Sequence, residues 1–298
     1  MSSEAGGAPA VAAQRSDDLR GGLLMLASGL LFSISSAAVK ELATDLPVFV
    51  VAALRHAFAL VWFVPLIARR GPAYFTTRRY FSHLYRGAFG FVSFLAFIYV
   101  LPLLNLADVI ALSFTTPLWS LLLTVLFLGE RVPPARWLAT AVGFAGVILI
   151  AKPSSAVGLA STIALSSALL SSLAMMKVKQ LSLTEPPDRI AFYFMLNGLL
   201  MGLPLALPVW RTPEPRQWLL LALMGGLSFA GQICLSRAYA IGTFSKMAPM
   251  DFFRLPLGIL VGFVLFGELP DAFSVLGMAI VVAASLFILM SRAAPRAS

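Results

Sequence analysis

Residues 108–150 read DVIALSFTTPLWSLLLTVLFLGERVPPARWLATAVGFAGVILI: a hydrophobic helix, a short Gly-Glu turn and a second hydrophobic helix. A degraded copy, KMAPMDFFRLPLGILVGFVLFGELPDAFSVLGMAIVVAASLFILM, begins at Lys246. One shift of 138 positions superimposes the two, carrying Gly129 to Gly267, Glu130 to Glu268, Leu138 to Leu276 and Asp108 to Lys246. This is the pattern of a gene duplication.

Earlier segments repeat with the shift one residue larger. Val39-Lys40 falls on Val178-Lys179, Leu42 on Leu181 and Pro47 on Pro186, each 139 apart. The organisation read from this is a tail over 1–19, a first repeat over 20–151, a second over 156–291 and a tail over 292–298.

Of the 298 residues, 59% are hydrophobic and only 12% charged, with mean hydropathy +0.90. A soluble domain is nearer a quarter charged, so the composition describes an integral membrane protein. A bilayer-spanning helix needs about 20 apolar residues. On that criterion ten spans are expected, near 20–40, 47–68, 84–102, 106–128, 134–151, 156–178, 188–210, 217–239, 244–266 and 271–291. Five spans per half is odd, so the second half enters the membrane from the opposite side, as in carriers that expose one central site alternately to either face. The fold class expected is an all-α membrane bundle of two inverted five-helix repeats around a central cavity.

The net charge of +9 reports topology rather than nucleic acid, because the basic residues cluster in short loops. With the N-terminus inside, the inner segments hold 14 of them: Arg15, Arg20, Arg69, Arg70, Arg78, Arg79, Arg86, Arg131, Arg136, Lys177, Lys179, Arg189, Arg292 and Arg296. The outer segments hold 4, namely Lys40, Lys152, Arg211 and Arg216. Both termini are therefore expected in the cytoplasm of a cell whose inner membrane holds the chain. The Arg- and aromatic-rich loop from Ala68 to Gly87 suits an anionic headgroup layer, making membrane lipids one expected partner.

Polar residues inside the spans are the candidate site. Ser113, Thr116, Ser120 and Thr124 are spaced 3, 4 and 4 apart and share one helical face. Adding 138 gives Asp251, Arg254, Gly258 and Gly262. Small and hydroxylated residues also serve close helix packing, whereas charges in a span line an interior path or pair with one another. Asp251 and Arg254 are three apart, suited either to a zwitterion or to an internal ion pair. Gln232 lies on one face with Ser228 and Ser236, and its amide needs partners from the substrate or another helix. Ser33, Ser36 and Lys40 form a similar stripe, as do Ser167 and Ser171, with Lys40 expected to snorkel outward. Tyr99, Trp119 and Tyr239 offer rings with a polar tip, for stacking on substrate or for an interfacial belt. Arg55 and His56 read as interhelical or gate contacts. Pro117 and Pro256, 139 apart, are expected to bend the fourth and ninth spans, and Pro47 and Pro186 to start helices.

These motifs resemble the EamA-type branch of the drug/metabolite transporter superfamily. The resemblance rests on Arg-x-x-x-Ala (Arg55 to Ala59), Leu-Ala-Asp-x-x-x-Leu-Ser-Phe-x-x-Pro-Leu (Leu106 to Leu118), Leu-Gly-Glu (Leu128 to Glu130) and Phe-Gly-Glu (Phe266 to Glu268), and spans Leu19 to Met290. It implies a carrier whose first, third, fourth, sixth, eighth and ninth helices line the cavity, with the fifth and tenth outside. Similar members export amino acids, aromatic and neutral ones included. The chain departs from the pattern where a second Arg-x-x-x-Ala would fall: Phe194-Met195-Leu196-Asn197-Gly198 stands there.

The expected activity is thus secondary transport of a small metabolite, an exported amino acid first and a nucleoside or cationic drug as the alternative, by a monomer or weak homodimer. Facilitated diffusion or exchange is expected, because acidic groups inside the spans are scarce. A lipid-modifying enzyme would need a dense polar constellation that the 13 acidic residues, mostly in loops, do not supply. No phosphate-binding GxxxxGK[ST] loop occurs, Cys234 is the single cysteine, and no cofactor or metal is expected.

Overall fold

The computed structural model describes residues 7–42, 45–100, 103, 112–129, 131–151, 158–266 and 271–291, and the regular structure of those residues is helical, with no strand among them. Asp108, Glu130, Lys152, Gly267, Glu268, Arg292 and Arg296 lie outside them, as do the side chains of Arg15 and Lys40. The helices are α1 (Gly7–Leu42), α2 (Val48–Val61), α3 (Val64–Arg70), α4 (Tyr80–Val100), α5 (Thr116–Leu123), α6 (Pro134–Ala151), α7 (Leu159–Leu181), α8 (Pro187–Ala206), α9 (Pro215–Ile241), α10 (Phe244–Met247), α11 (Arg254–Phe266) and α12 (Ala272–Met290).

Among the described residues seven segments are long and apolar enough to cross a membrane: Ser16–Ala38, Val48–Arg70, Leu159–Leu181, Pro187–Val209, Pro215–Ile241, Phe244–Leu265 and Ala272–Met290. Thr116–Leu128 and Pro134–Ile150 are shorter apolar helices, and α4 occupies the stretch where the third span was expected.

Proline and glycine set the boundaries. Pro47 and Pro186 sit in extended backbone just ahead of α2 and α8, where the missing N–H costs no helical bond. Pro65 divides the expected second span, so α2 stops at Val61 and α3 begins at Val64. Near Pro117 the chain turns at Phe114–Thr115 before α5 starts. Its counterpart Pro256 stands in the first turn of α11, after a 3-10 stretch over Ala248–Phe253. Gly129 ends the π-helical turn Thr124–Leu128 at φ 64°, a left-handed conformation that explains glycine in the Leu-Gly-Glu motif. Asp271 caps α12, accepting from the Ser274 amide at 2.8 Å.

Helix pairing is specific: α1 packs on α9, α4 on α7, α2 on α8, α6 on α12, α5 on α7 and α1 on α11. Hydroxyls stitch two of these seams. Ser28 donates to the Gly231 carbonyl at 3.0 Å, and Ser167 to that of Ser93 at 2.8 Å. The α6–α12 contact is backbone on backbone, since a Cβ on Gly277 would stand 2.7 Å from the Gly146 carbonyl oxygen.

Charged groups gather at the two ends. At one, the Lys246 ammonium meets the Asp18 carboxylate at 2.9 Å, both side chains almost wholly buried. There too Arg136 donates to Ser245 and Ser291, and Lys179 to the carbonyls of Tyr239 and Gly242. At the other, Arg216 pairs with Glu41 at 3.0 Å and Arg211 donates to the Asp45 carbonyl. Within the stretch expected as a tail, α1 begins at Gly7 and Asp18 is a buried structural group.

Candidate functional site

The interior site is a cationic and aromatic cluster where α2, α4, α8 and α9 meet. Arg86, in the second turn of α4, is 0% exposed. Its guanidinium lies 3.7 Å from the centre of the Phe194 ring, a cation–π contact, and donates to Gln232 Oε1 at 3.2 Å. Its Nε and Nη1 have no hydrogen-bond partner among the described residues. Gly90, one turn along α4, keeps the approach open, because a Cβ there would stand 3.2 Å from Phe194 and 3.6 Å from Arg86 Nη1.

Beside it on α2, Arg55 lies 5.8 Å from the centre of the Phe94 ring, with its Nε also unpartnered. His56 is buried, its Nδ1 2.7 Å from the Ala52 carbonyl and its ring edge-on to Phe194. The His56 ring occupies the notch left by Gly198, where any Cβ would collide with it. Asn197 donates to the His83 carbonyl at 3.1 Å, and His83 stacks on Tyr193 with 4.5 Å between centroids. The second half's departure from Arg-x-x-x-Ala is therefore spatially meaningful: Phe194 carries the Arg86 charge and Gly198 admits His56.

The Asp251–Arg254 pair forms the second part. Asp251 stands in the 3-10 stretch and Arg254 opens α11, their charged ends 3.6 Å apart and both partly exposed. Arg254 faces the Phe32 ring at 5.4 Å. Ser33 donates to the Arg254 carbonyl at 3.4 Å.

The remaining expected residues divide by what they touch. Gln232 joins Arg86 as described. Trp119 Nε1 and Ser113 Oγ are enclosed with no partner among the described residues. Thr116 donates to the carbonyls of Ser113 and Ala168, and Ser120 meets Ser172 at 2.9 Å, so this face packs on α7. Ser171, beside Ser172, is half-buried. Ser36 donates back to the Phe32 carbonyl at 2.8 Å. Tyr239 is wholly buried against Phe244 in a core cluster with Met25, Leu235 and Phe253. Tyr99, 60% exposed at the end of α4, stands apart from these groups.

Sequence reading missed Arg86, counted above as an inner-loop cation, and with it Phe194. The available signal was an arginine followed by Gly87 and Gly90, small residues where two helices must approach a bulky neighbour.

A family model described as "EamA-like transporter family" matches residues 19–152 and again 158–290. The chain belongs to this family. It is 33% identical over 278 residues to the riboflavin transporter of Rhizobium johnstonii, covering 90% of each chain. It is 29% identical over 261 residues to the S-adenosylmethionine uptake transporter of Rickettsia prowazekii, covering 87% of this chain and 88% of that one. A solved structure titled "Crystal structure of protein" superimposes with a TM-score of 0.78 at 17% identity, over 90% of this chain and 95% of that one. This EamA-like chain is thus a multi-pass membrane transporter of small molecules and not an enzyme. The expectation of an amino-acid exporter is coarsened to that statement, since neither relative is named for amino-acid export.

Proposed function

We propose that this transporter carries a flat, acceptor-rich metabolite of the flavin type, held between the Arg86 and Asp251–Arg254 parts of the interior. The observation that carries the reading is Arg86: a fully buried guanidinium, resting on one ring and one amide, with two of its nitrogens, Nε and Nη1, unpartnered among the described residues. Burying a charge without full compensation costs several kcal/mol, and such groups inside a span mark substrate paths. The carbonyls and ring nitrogens of an isoalloxazine accept from such donors, and its plane suits the rings of Phe94, Phe194 and Trp119. The 33% identity to a riboflavin transporter, over 90% of the chain, supports this choice.

The architecture proposed with it is ten spans in two inverted repeats, 20–151 and 156–291, each built of five helices and alternating access around the site. Three contacts occurring in mirrored pairs support it. Ser28–Gly231 maps to Ser167–Ser93, since Ser167 follows Ser28 by 139 positions and Gly231 follows Ser93 by 138. Ser120–Ser172 maps likewise to Gly258 facing Ser33, and Thr116–Ala168 to Arg254 lying against Gly29. The clustering of Arg70, Arg136, Lys179 and Arg189 with the start of α1 at one end supports cytoplasmic termini in an inner membrane.

The test is flux into proteoliposomes. Wild-type protein is expected to move radiolabelled riboflavin saturably, and Arg86→Gln to lower the rate about 10- to 100-fold, the worth of one or two charge-assisted hydrogen bonds. Transport of aromatic amino acids without riboflavin would replace this reading with the second one. That second reading, a zwitterion, has the adjacent opposite charges of Asp251 and Arg254 in its favour.

A further inference from the structure

Away from the interior site, a cleft of about 410 Å³ opens where α2 gives way to α3, against the last turns of α9. Its lining includes three guanidiniums, Arg69, Arg70 and Arg237, and a single acid, Asp188. Arg70 and Arg237 reach that carboxylate from two sides, at 2.8 and 3.3 Å. Asp188 itself is buried, whereas about half of the Arg237 side chain and two fifths of Arg70 remain open. Three cations against one anion leave two positive charges for something outside the chain. The walls are apolar: Trp62, Pro65, Phe229 and Ile233. Trp62 is 53% exposed, on the outer surface of a membrane-spanning segment. Tryptophan is the residue that settles at the boundary between headgroups and acyl chains.

We propose that this cleft binds one anionic phospholipid, its phosphate against Arg69 and Arg237 and an acyl chain along Trp62, Phe229 and Ile233. The shared chemistry is a phosphate-bearing anion, and the apolar wall selects the lipid as its source. A soluble anion gains nothing from the ring surfaces, and a zwitterionic lipid gains little from two uncompensated guanidiniums. The cleft lies beside the break between α2 and α3, where Pro65, in the first turn of α3, has no N–H to continue the helical hydrogen bonding. Arg70 is the residue left to hold Asp188 when the other two are changed, so the lipid contact can be removed without stranding the buried acid.

Native mass spectrometry of the intact, delipidated protein tests this, with dioleoylphosphatidylglycerol and dioleoylphosphatidylcholine offered at equal concentration. Wild-type protein is expected to retain the glycerol lipid with roughly tenfold preference. The Arg69→Gln/Arg237→Gln double variant is expected to lose that preference, and Arg69→Lys/Arg237→Lys to keep most of it. Equal retention of both lipids by wild type overturns the proposal, as does an undiminished preference in the glutamine variant. Loss in the lysine variant as well would show that charge is not the cause, and would also overturn it. Thermal stabilisation of the lipid-free protein by inorganic phosphate, equal to that given by phosphatidylglycerol, would identify a soluble-anion site instead.

Discussion

The same slot in the two halves holds very different residues. Thr116 and Arg254 are 138 positions apart and each lies against a helix of the opposite half, Ala168 on α7 for the first and Gly29 on α1 for the second. The threonine spends its hydroxyl on two carbonyls, whereas the arginine holds Asp251 and remains partly open. Arg55 likewise faces Phe194 across a shift of 139, and Arg86 faces Met224 across 138, a methionine buried in an apolar cluster. The matched positions carry helix packing, and the mismatched ones carry charge. On the proposed two-repeat architecture, the symmetric scaffold would supply the cavity and the departures from symmetry its chemistry.

The largest effect expected separates a structural charge of the second half from a functional one. Asp18→Ala strands the buried Lys246 ammonium and should cost about 3–5 kcal/mol, read as a lowered unfolding midpoint in detergent. Adding Lys246→Met should recover most of it. Next comes the shared slot itself: Arg254→Ala is expected to cut flux about 10- to 100-fold in protein that remains folded, and Thr116→Ala to change it less than about twofold. Equal losses at the two positions would break the comparison. Gly198→Ala restores the alanine of the first half and forces a Cβ into the His56 ring, so a loss of about 1–3 kcal/mol is expected, relieved when His56→Ala is combined with it. Smallest is Ser120→Ala, which removes the hydroxyl contact to Ser172 at about 1 kcal/mol with substrate affinity unchanged.

Much of the scaffold was legible beforehand because it depends on local rules. Apolar run length marks a span, and Pro47 and Pro186 start helices. The site was harder. A helical period places Ser113, Thr116, Ser120 and Thr124 on one face, but that face can look toward a cavity or a neighbour, and the Thr116 and Ser120 hydroxyls meet α7. Arg86 was hidden for the opposite reason: it stands near the start of an apolar run, where a cation usually belongs to a loop, yet α4 begins six residues earlier and carries it inside. Tyr239 shows the same limit, since only packing against Phe244 distinguishes a core ring from a binding one.

Two inverted halves that share a scaffold and differ at the site, as proposed, require their matching turns to face opposite sides of the membrane. Single cysteines at Arg131→Cys and Ala272→Cys, in a Cys234→Ser background, follow the corresponding turns of the two halves at exposed positions. A membrane-impermeant thiol reagent applied to intact cells is expected to label Ala272→Cys alone, with Arg131→Cys labelled only after the membrane is opened. Labelling of both from the same face would contradict the inverted architecture and the account of the site built on it.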